Sequence, residues 1–259
     1  MAKKRIAWER IVLAVAVLGI ATSLIIYLSV TKGSSVCKGI DVKITNSEVA
    51  KLITAGDIKR MIEQSKIAGK GKPLNDGVIK KTLKFVETRG SVKNVLVYQT
   101  GDSILHVELE QRIPSVRILT SAGSCYLDKE GISFPVSERY AYNVPLVTGK
   151  IRLPAEGKMM SDTFFARNLP AFAEFVSGNP FWNAQIQQID IDENRNIQFT
   201  VCSDNHLIRL GQLYEYEKKM NNLLTFYMKV NPYYLTENDV PYTVLDLRFD
   251  RQIVAVTGN

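Results

Sequence analysis

Catalysis would need a nucleophile beside a base, a metal cluster or a phosphate cradle, and each leaves a signature in residue type and spacing. His106 and His206 are the only histidines, and each falls in a stretch that reads as a strand. A solitary strand histidine is ordinarily structural, and neither stands at zinc-ligand spacing from a cysteine. Gly69-Lys70-Gly71-Lys72 has the composition of a phosphate loop. That motif needs four residues between its glycines and Ser or Thr after its lysine, where this chain has Pro73. Asp190, Asp192 and Glu193 could gather a cation, although in a turn they read first as solvated carboxylates. Cys125 and Cys202 lie in strand-like stretches and could pair in an oxidising compartment, or else be isolated buried thiols. No catalytic, metal-binding or cofactor-binding constellation emerges, so the residues read as a non-enzymatic binding module.

The C-terminus offers recognition instead. In the stretch 252–256, Ile253 and Ala255 point to one face of a strand and Val254 and Val256 to the other, so both faces are apolar. A terminal strand tends to lie at a sheet edge, where open N–H and C=O groups can template a strand of another chain. The other reading is an interior strand buried on both sides.

The elements around these residues make an α+β chain. Val36 to Ile44 reads as a strand. Ile58, Met61, Ile62 and Ile67 form the apolar stripe of a helix capped by Thr54 or Asp57. Val78, Ile79, Leu83, Phe85 and Val86 mark a second helix, capped by Asn75 or Asp76 and closed by Gly90. Strands Val92 to Gln99 and Ser103 to Glu110 follow, joined at Thr100-Gly101-Asp102. After a boundary near Pro114 to Thr120 the chain turns strand-rich. Ser124 to Leu127 and Gly131 to Val136 flank a tight turn, and Val144 to Gly149 reads as a buried strand. A helix from Ser161 should bend or split at Pro170 and stop at Gly178-Asn179-Pro180. Strands 185–191, 196–202 and 206–210, an amphipathic helix 212–229, and strands 242–249 and 252–256 complete the reading. In the first of those last two strands Leu245, Leu247 and Phe249 share a face.

The net charge of +7 mixes two regions. Lys3, Lys4, Arg5 and Arg10 crowd the first ten residues, and the remainder is only mildly basic, without the clustered stripes of a nucleic-acid binder. Ile11 to Val30 carries no charged residue, and at ~1.5 Å per residue that stretch covers about 30 Å, the thickness of a bilayer's hydrocarbon core. Its exit lacks an Ala-x-Ala site, which favours an uncleaved anchor over a signal peptide, and Val36 before Cys37 argues against lipid attachment. Four basic residues before the span against Lys32 and Lys38 after it put the N-terminus in the cytoplasm and the rest outside. The expected plan is a tail 1–10, a single transmembrane helix 11–30, a small α/β domain 31–117 and a β-rich domain 118–259 with a mostly antiparallel sheet and flanking helices.

This order of features resembles the FtsQ/DivIB cell-division family. The strand-helix-helix-strand-strand unit (βααββ) resembles a POTRA domain. Glu110-Gln111-Arg112-Ile113-Pro114 is similar to the family's Glu-Arg-x-Pro signature with Gln111 inserted. Tyr126 to Phe134 resembles its Val-Asp-x-x-Gly-x-x-Phe hairpin, and Pro145-Leu146-Val147-Thr148-Gly149 its Pro-x-Leu-x-Gly turn. Ile208-Arg209-Leu210-Gly211 and Val244 to Phe249 are similar to its closing strands. The resemblance implies a non-catalytic divisome scaffold in the cytoplasmic (inner) membrane at the septum, without cofactors, nucleic acid or small-molecule substrate. Its implied partners are an FtsB/FtsL-like coiled-coil pair and, through it, the septal peptidoglycan synthase. It implies partner contact by strand addition at the last strands, here Arg248, Phe249, Arg251, Ile253, Val254, Ala255 and Val256. The competing class is a membrane-tethered polypeptide-binding chaperone or transport adaptor, since POTRA-like units elsewhere bind chains in transit. An anchored cell-wall enzyme would need a constellation the sequence does not show.

Overall fold

A computed structural model describes residues 18–23, 35–137, 139–202, 206–229 and 242–257. Residues 18–23 are helical with Leu18 and Ile20 exposed. The remainder of the expected span 11–30, the tail 1–10 and residues 31–34 lie outside the described residues. Among the described residues no helix is long and apolar enough to cross a membrane.

The expected first strand is two pieces, β1 (Ser35–Val36) and β2 (Gly39–Ile44). They are interrupted where Cys37 turns inward, buried, with its Sγ donating to the Gly39 carbonyl at 3.2 Å. Helix α1 (Ala55–Gln64) starts at Thr54, whose hydroxyl accepts from the Asp57 amide while the Asp57 carboxylate returns a bond to the Thr54 amide. That reciprocal box chooses Thr54 over Asp57 as the cap. Ile67, expected on this helix, lies beyond its end. Short strand β3 (Pro73–Leu74) pairs with β1, and α2 (Asp76–Glu87) is capped by Asn75. Helix α2 ends at Thr88 in right-handed geometry, so Gly90 does not close it.

Strands β4 (Val92–Gln99) and β5 (Ile104–Gln111) pair antiparallel, and β2 joins β5 in parallel, giving the order β2-β5-β4. Leu105, Val107 and Leu109 alternate inward on β5 and meet Ile58 and Ile62 of α1 and Val86 of α2, which makes the first core.

The link 112–115 then carries the chain into a nine-stranded sheet. Its members are β6 (Val116–Thr120), β7 (Gly123–Leu127), β8 (Ser133–Pro135), β9 (Leu146–Gly149), β10 (Gln188–Ile191), β11 (Ile197–Thr200), β12 (Leu207–Gly211), β13 (Tyr242–Asp246) and β14 (Val254–Thr257). They run in the order β14-β13-β12-β11-β10-β9-β6-β7-β8. Pairing is mixed and mostly antiparallel, with β6–β9, β9–β10 and β12–β13 parallel. A domain boundary at 117 falls inside β6, which pairs wholly within this sheet.

Helix α3 (Thr163–Gly178) runs unbroken through Pro170, against the expected bend or split. The proline deprives the Ala166 carbonyl of its helical donor. The Gly131 backbone packs against that carbonyl so closely that a side chain at Gly131 (φ +76°) would collide with it. Asn179 both ends α3 and caps a helix the sequence reading missed, α4 (Pro180–Gln185). With α5 (Tyr216–Lys229) these helices pack on one face of the sheet, over Ile118, Val147, Ile189, Phe199, Ile208 and Leu245. The opposite face of β7 and β8 instead receives the first domain, where Leu52 packs on Tyr126 and Phe134. The fold is therefore α+β, a POTRA-like unit attached to a large mixed sheet.

Candidate functional site

At the C-terminal end, β13 stops at Asp246 because Arg248 folds back onto it. Arg248 N donates to Asp246 Oδ1 at 3.0 Å, Nε to the same oxygen at 2.9 Å, and Nη2 to Oδ2 at 2.6 Å. Burial raises the Asp246 carboxyl, but these bonds and the Arg248 charge outweigh it and hold the group below the usual carboxylate range. The Arg248 stem lies over Gly211 (φ +80°), where any side chain would meet its Cγ. Leu247 continues beside β12 through its amide on the Arg209 carbonyl at 2.9 Å.

The chain then bends through Phe249, Asp250 and Arg251 (φ +59°) before returning as β14. Phe249 does not share a face with Leu245 and Leu247 as expected. Those two are buried, whereas Phe249 sits in the bend with 48% of its surface exposed. A strand that ends at Asp246 no longer alternates.

β14 pairs with β13 in the register Val244↔Val256, Leu245↔Ala255 and Asp246↔Val254. Among the described residues nothing lies on its other side, so it is the sheet's edge, the first of the two readings the sequence left open. All four of its residues are exposed, Val254 at 38% and Val256 at 45%. Ile253, just before it, is half-buried against the main core. Ala255 continues the helix-side row of Leu245 and Ile208. On the side away from the described helices Leu207, Val244 and Val256 stand in register across three strands. Leu207 and Val244 had no signal as site residues, because alternation shows that a strand has two faces without showing which one is covered.

Beside the bend, a shallow hollow opens between Tyr214, Lys218 and Asn222 on one side and Phe249, Arg251 and Ile253 on the other. Lys218 reaches Asp250 at 3.5 Å. Lys219 is drawn inward, its Nζ donating to the Leu210 carbonyl at 3.0 Å and resting 4.4 Å from the Tyr214 ring centre, and burial lowers its pKa. Arg248 is thus committed to Asp246, while Arg251 projects into solvent with 85% of its side chain exposed.

The candidate catalytic and metal-binding residues lie apart from this edge. His206 precedes β12 instead of lying within a strand, and is buried, bonded to the Tyr227 hydroxyl. His106 lies on β5 in the other domain, between Asp41 and Thr100. Asp192 spends its carboxylate on the amides of Asn194 and Asn196. Among the described residues no group of three His, Cys, Asp or Glu is placed to hold a metal ion. Cys125 and Cys202 are unbonded, the first buried in β7 and the second exposed after β11.

A POTRA-like unit followed by a large mixed sheet whose outermost described strand is β14 is the architecture that places the chain in its class. The family model described as FtsQ/DivIB, C-terminal related matches residues 113–256, and a POTRA-like domain model matches 35–110. The chain belongs to the FtsQ/DivIB C-terminal-related family, a family of non-catalytic cell-division proteins. No curated protein matches it in sequence.

Proposed function

We propose that this protein is a bitopic division scaffold, held in the cytoplasmic membrane by 11–30, with residues 35–257 outside and β14 taking up a strand from a divisome partner. The expected partner is a coiled-coil pair of the FtsB/FtsL type, linking the scaffold to septal peptidoglycan synthesis. One observation carries the reading: among the described residues nothing pairs with the outer side of β14, and both its valines are exposed. Each added backbone hydrogen bond contributes a net of roughly 0.5–1.5 kcal/mol, so a strand of four residues would bind weakly through its backbone alone. Val254 and Val256 keep 38% and 45% of their surface exposed and Phe249 48%, so covering what remains adds roughly 1 kcal/mol at each, enough together to exceed the backbone's share.

Phe249→Ala and Val254→Lys should each weaken partner capture about tenfold or more while leaving the far-ultraviolet dichroism of the protein unchanged. Capture by both variants at the parent's level, in co-purification from membranes, would remove the proposal. A tagged protein gathering in a midcell ring fits division, and a uniform envelope signal would favour the transport-adaptor reading that the POTRA-like match leaves open.

A further inference from the structure

The chain crosses between its two domains once, along 111–115, and a single crossing is ordinarily a swivel. Here contacts stand on both sides of it. On one side, Arg112 Nε donates to the Gly90 carbonyl at 3.1 Å, and its guanidinium pairs with Asp128. Asp128 is only 3% exposed, and its Oδ1 also holds the amides of Glu130 and Ile132, which shape the β7–β8 turn. One guanidinium therefore joins the segment after α2 to a turn of the large sheet. Next to it the Gly90 amide donates to Glu156 at 3.1 Å, with the Glu156 stem filling the space a side chain at Gly90 would need. Lys93 meets Glu130 at 3.1 Å.

On the other side, Leu52 is buried between the domains against Tyr126 and Phe134. The Lys51 amide donates to the Tyr142 hydroxyl, and Arg139 pairs with Asp57 at 2.7 Å. Gln111 anchors the crossing itself. Its amide nitrogen donates to the carbonyls of Ala50 and Ile53, each at 3.1 Å, and its oxygen accepts from the Ile53 amide at 2.9 Å. Two patches separated by the crossing oppose rotation about it, as one patch would not. Swinging the domains apart would also leave Asp128 buried without its cation, a costly state.

We infer that Arg112 is a positioning residue: through Asp128 and Gly90 it fixes the angle between the domains, so that the POTRA-like unit and the large sheet move as one rigid body. This holds whether or not β14 binds a partner.

The test is a spin-label distance measurement on the full chain with Cys202→Ser and labels at Lys81→Cys and Glu217→Cys, exposed positions on α2 and α5. The parent should give one narrow distance distribution. Asp128→Asn and Arg112→Ala should each broaden it severalfold, with far-ultraviolet dichroism unchanged. A broad or two-peaked parent overturns the inference, and so do variants as narrow as the parent. Should either variant fail to fold, Arg112→Lys keeps a cation beside Asp128 but loses the Nε donor to the Gly90 carbonyl. Broadening in that variant supports the positioning role of Arg112, and a parent-like width overturns it.

Discussion

Two thiols that looked alike in sequence have different chemistry in place. Burial in β7 pushes the Cys125 thiol up to about 11, so almost no thiolate exists at neutral pH, whereas Cys202 is exposed after β11. Cys37 is buried as well. The folded protein should therefore react with a disulfide reagent quickly at Cys202 alone, and at all three cysteines only after denaturant is added. Quick titration of all three in the native protein, or of none, would contradict the structure. Residue-level legibility was uneven. The caps were legible only as one of two neighbours, Thr54 or Asp57 and Asn75 or Asp76, and the structure selects Thr54 and Asn75, whose side-chain oxygens accept first-turn amides. Arg248 was read as a partner contact, yet its bonds to Asp246 show that it first shapes the bend, something no spacing rule reveals.

Elements whose period is clean were legible, and those set by what happens at their ends were not. Strands β4 and β5 and helix α2 lie within a residue or two of their expected bounds, and β14 is the edge that a terminal apolar strand can be. Helix α4 is hidden in the sequence because Asn179-Pro180 reads as a stop, although asparagine before proline is equally a cap with proline at the first helical position. The continuity of α3 was hidden because the partner that tolerates Pro170, the Gly131 backbone, comes from a distant turn. The β13 end carries a pH signature. The Asp246 carboxyl is depressed in the folded state, so its stabilising share is complete above the unfolded value near 3.8 and is lost as pH falls through the lower folded value. Between about pH 5 and pH 3, urea stability should therefore drop less steeply in Asp246→Asn than in the parent. Parallel curves for the two proteins would show that the carboxylate is not held as described. Asp57, Asp102 and Asp192 are also lowered, so only this difference isolates Asp246.

For the molecule as a whole, the order of domains was readable from the sequence, and their relation was not. The first domain's βααββ order is local, but the joint draws on Gly90, Asp128, Glu156 and Tyr142, which stand far apart in sequence and meet only through the packing of one domain on the other. The anchor belongs to this scale too. An uninterrupted apolar stretch of this length should keep the full chain in the pellet after alkaline carbonate extraction, and deleting 11–30 should release a folded, soluble product. Release of the full chain by carbonate would end the bitopic reading.

The row formed by Leu207, Val244 and Val256 gives the edge a sense of phase. A fourth strand laid against it in the right frame extends that row with its own apolar side chains and sets the alternate ones beside Ala255. Slipping by a single residue would turn the whole set over to the opposite faces. As a docking edge it would read the rhythm of an incoming segment as much as its content, and two peptides of identical composition would not look alike to it.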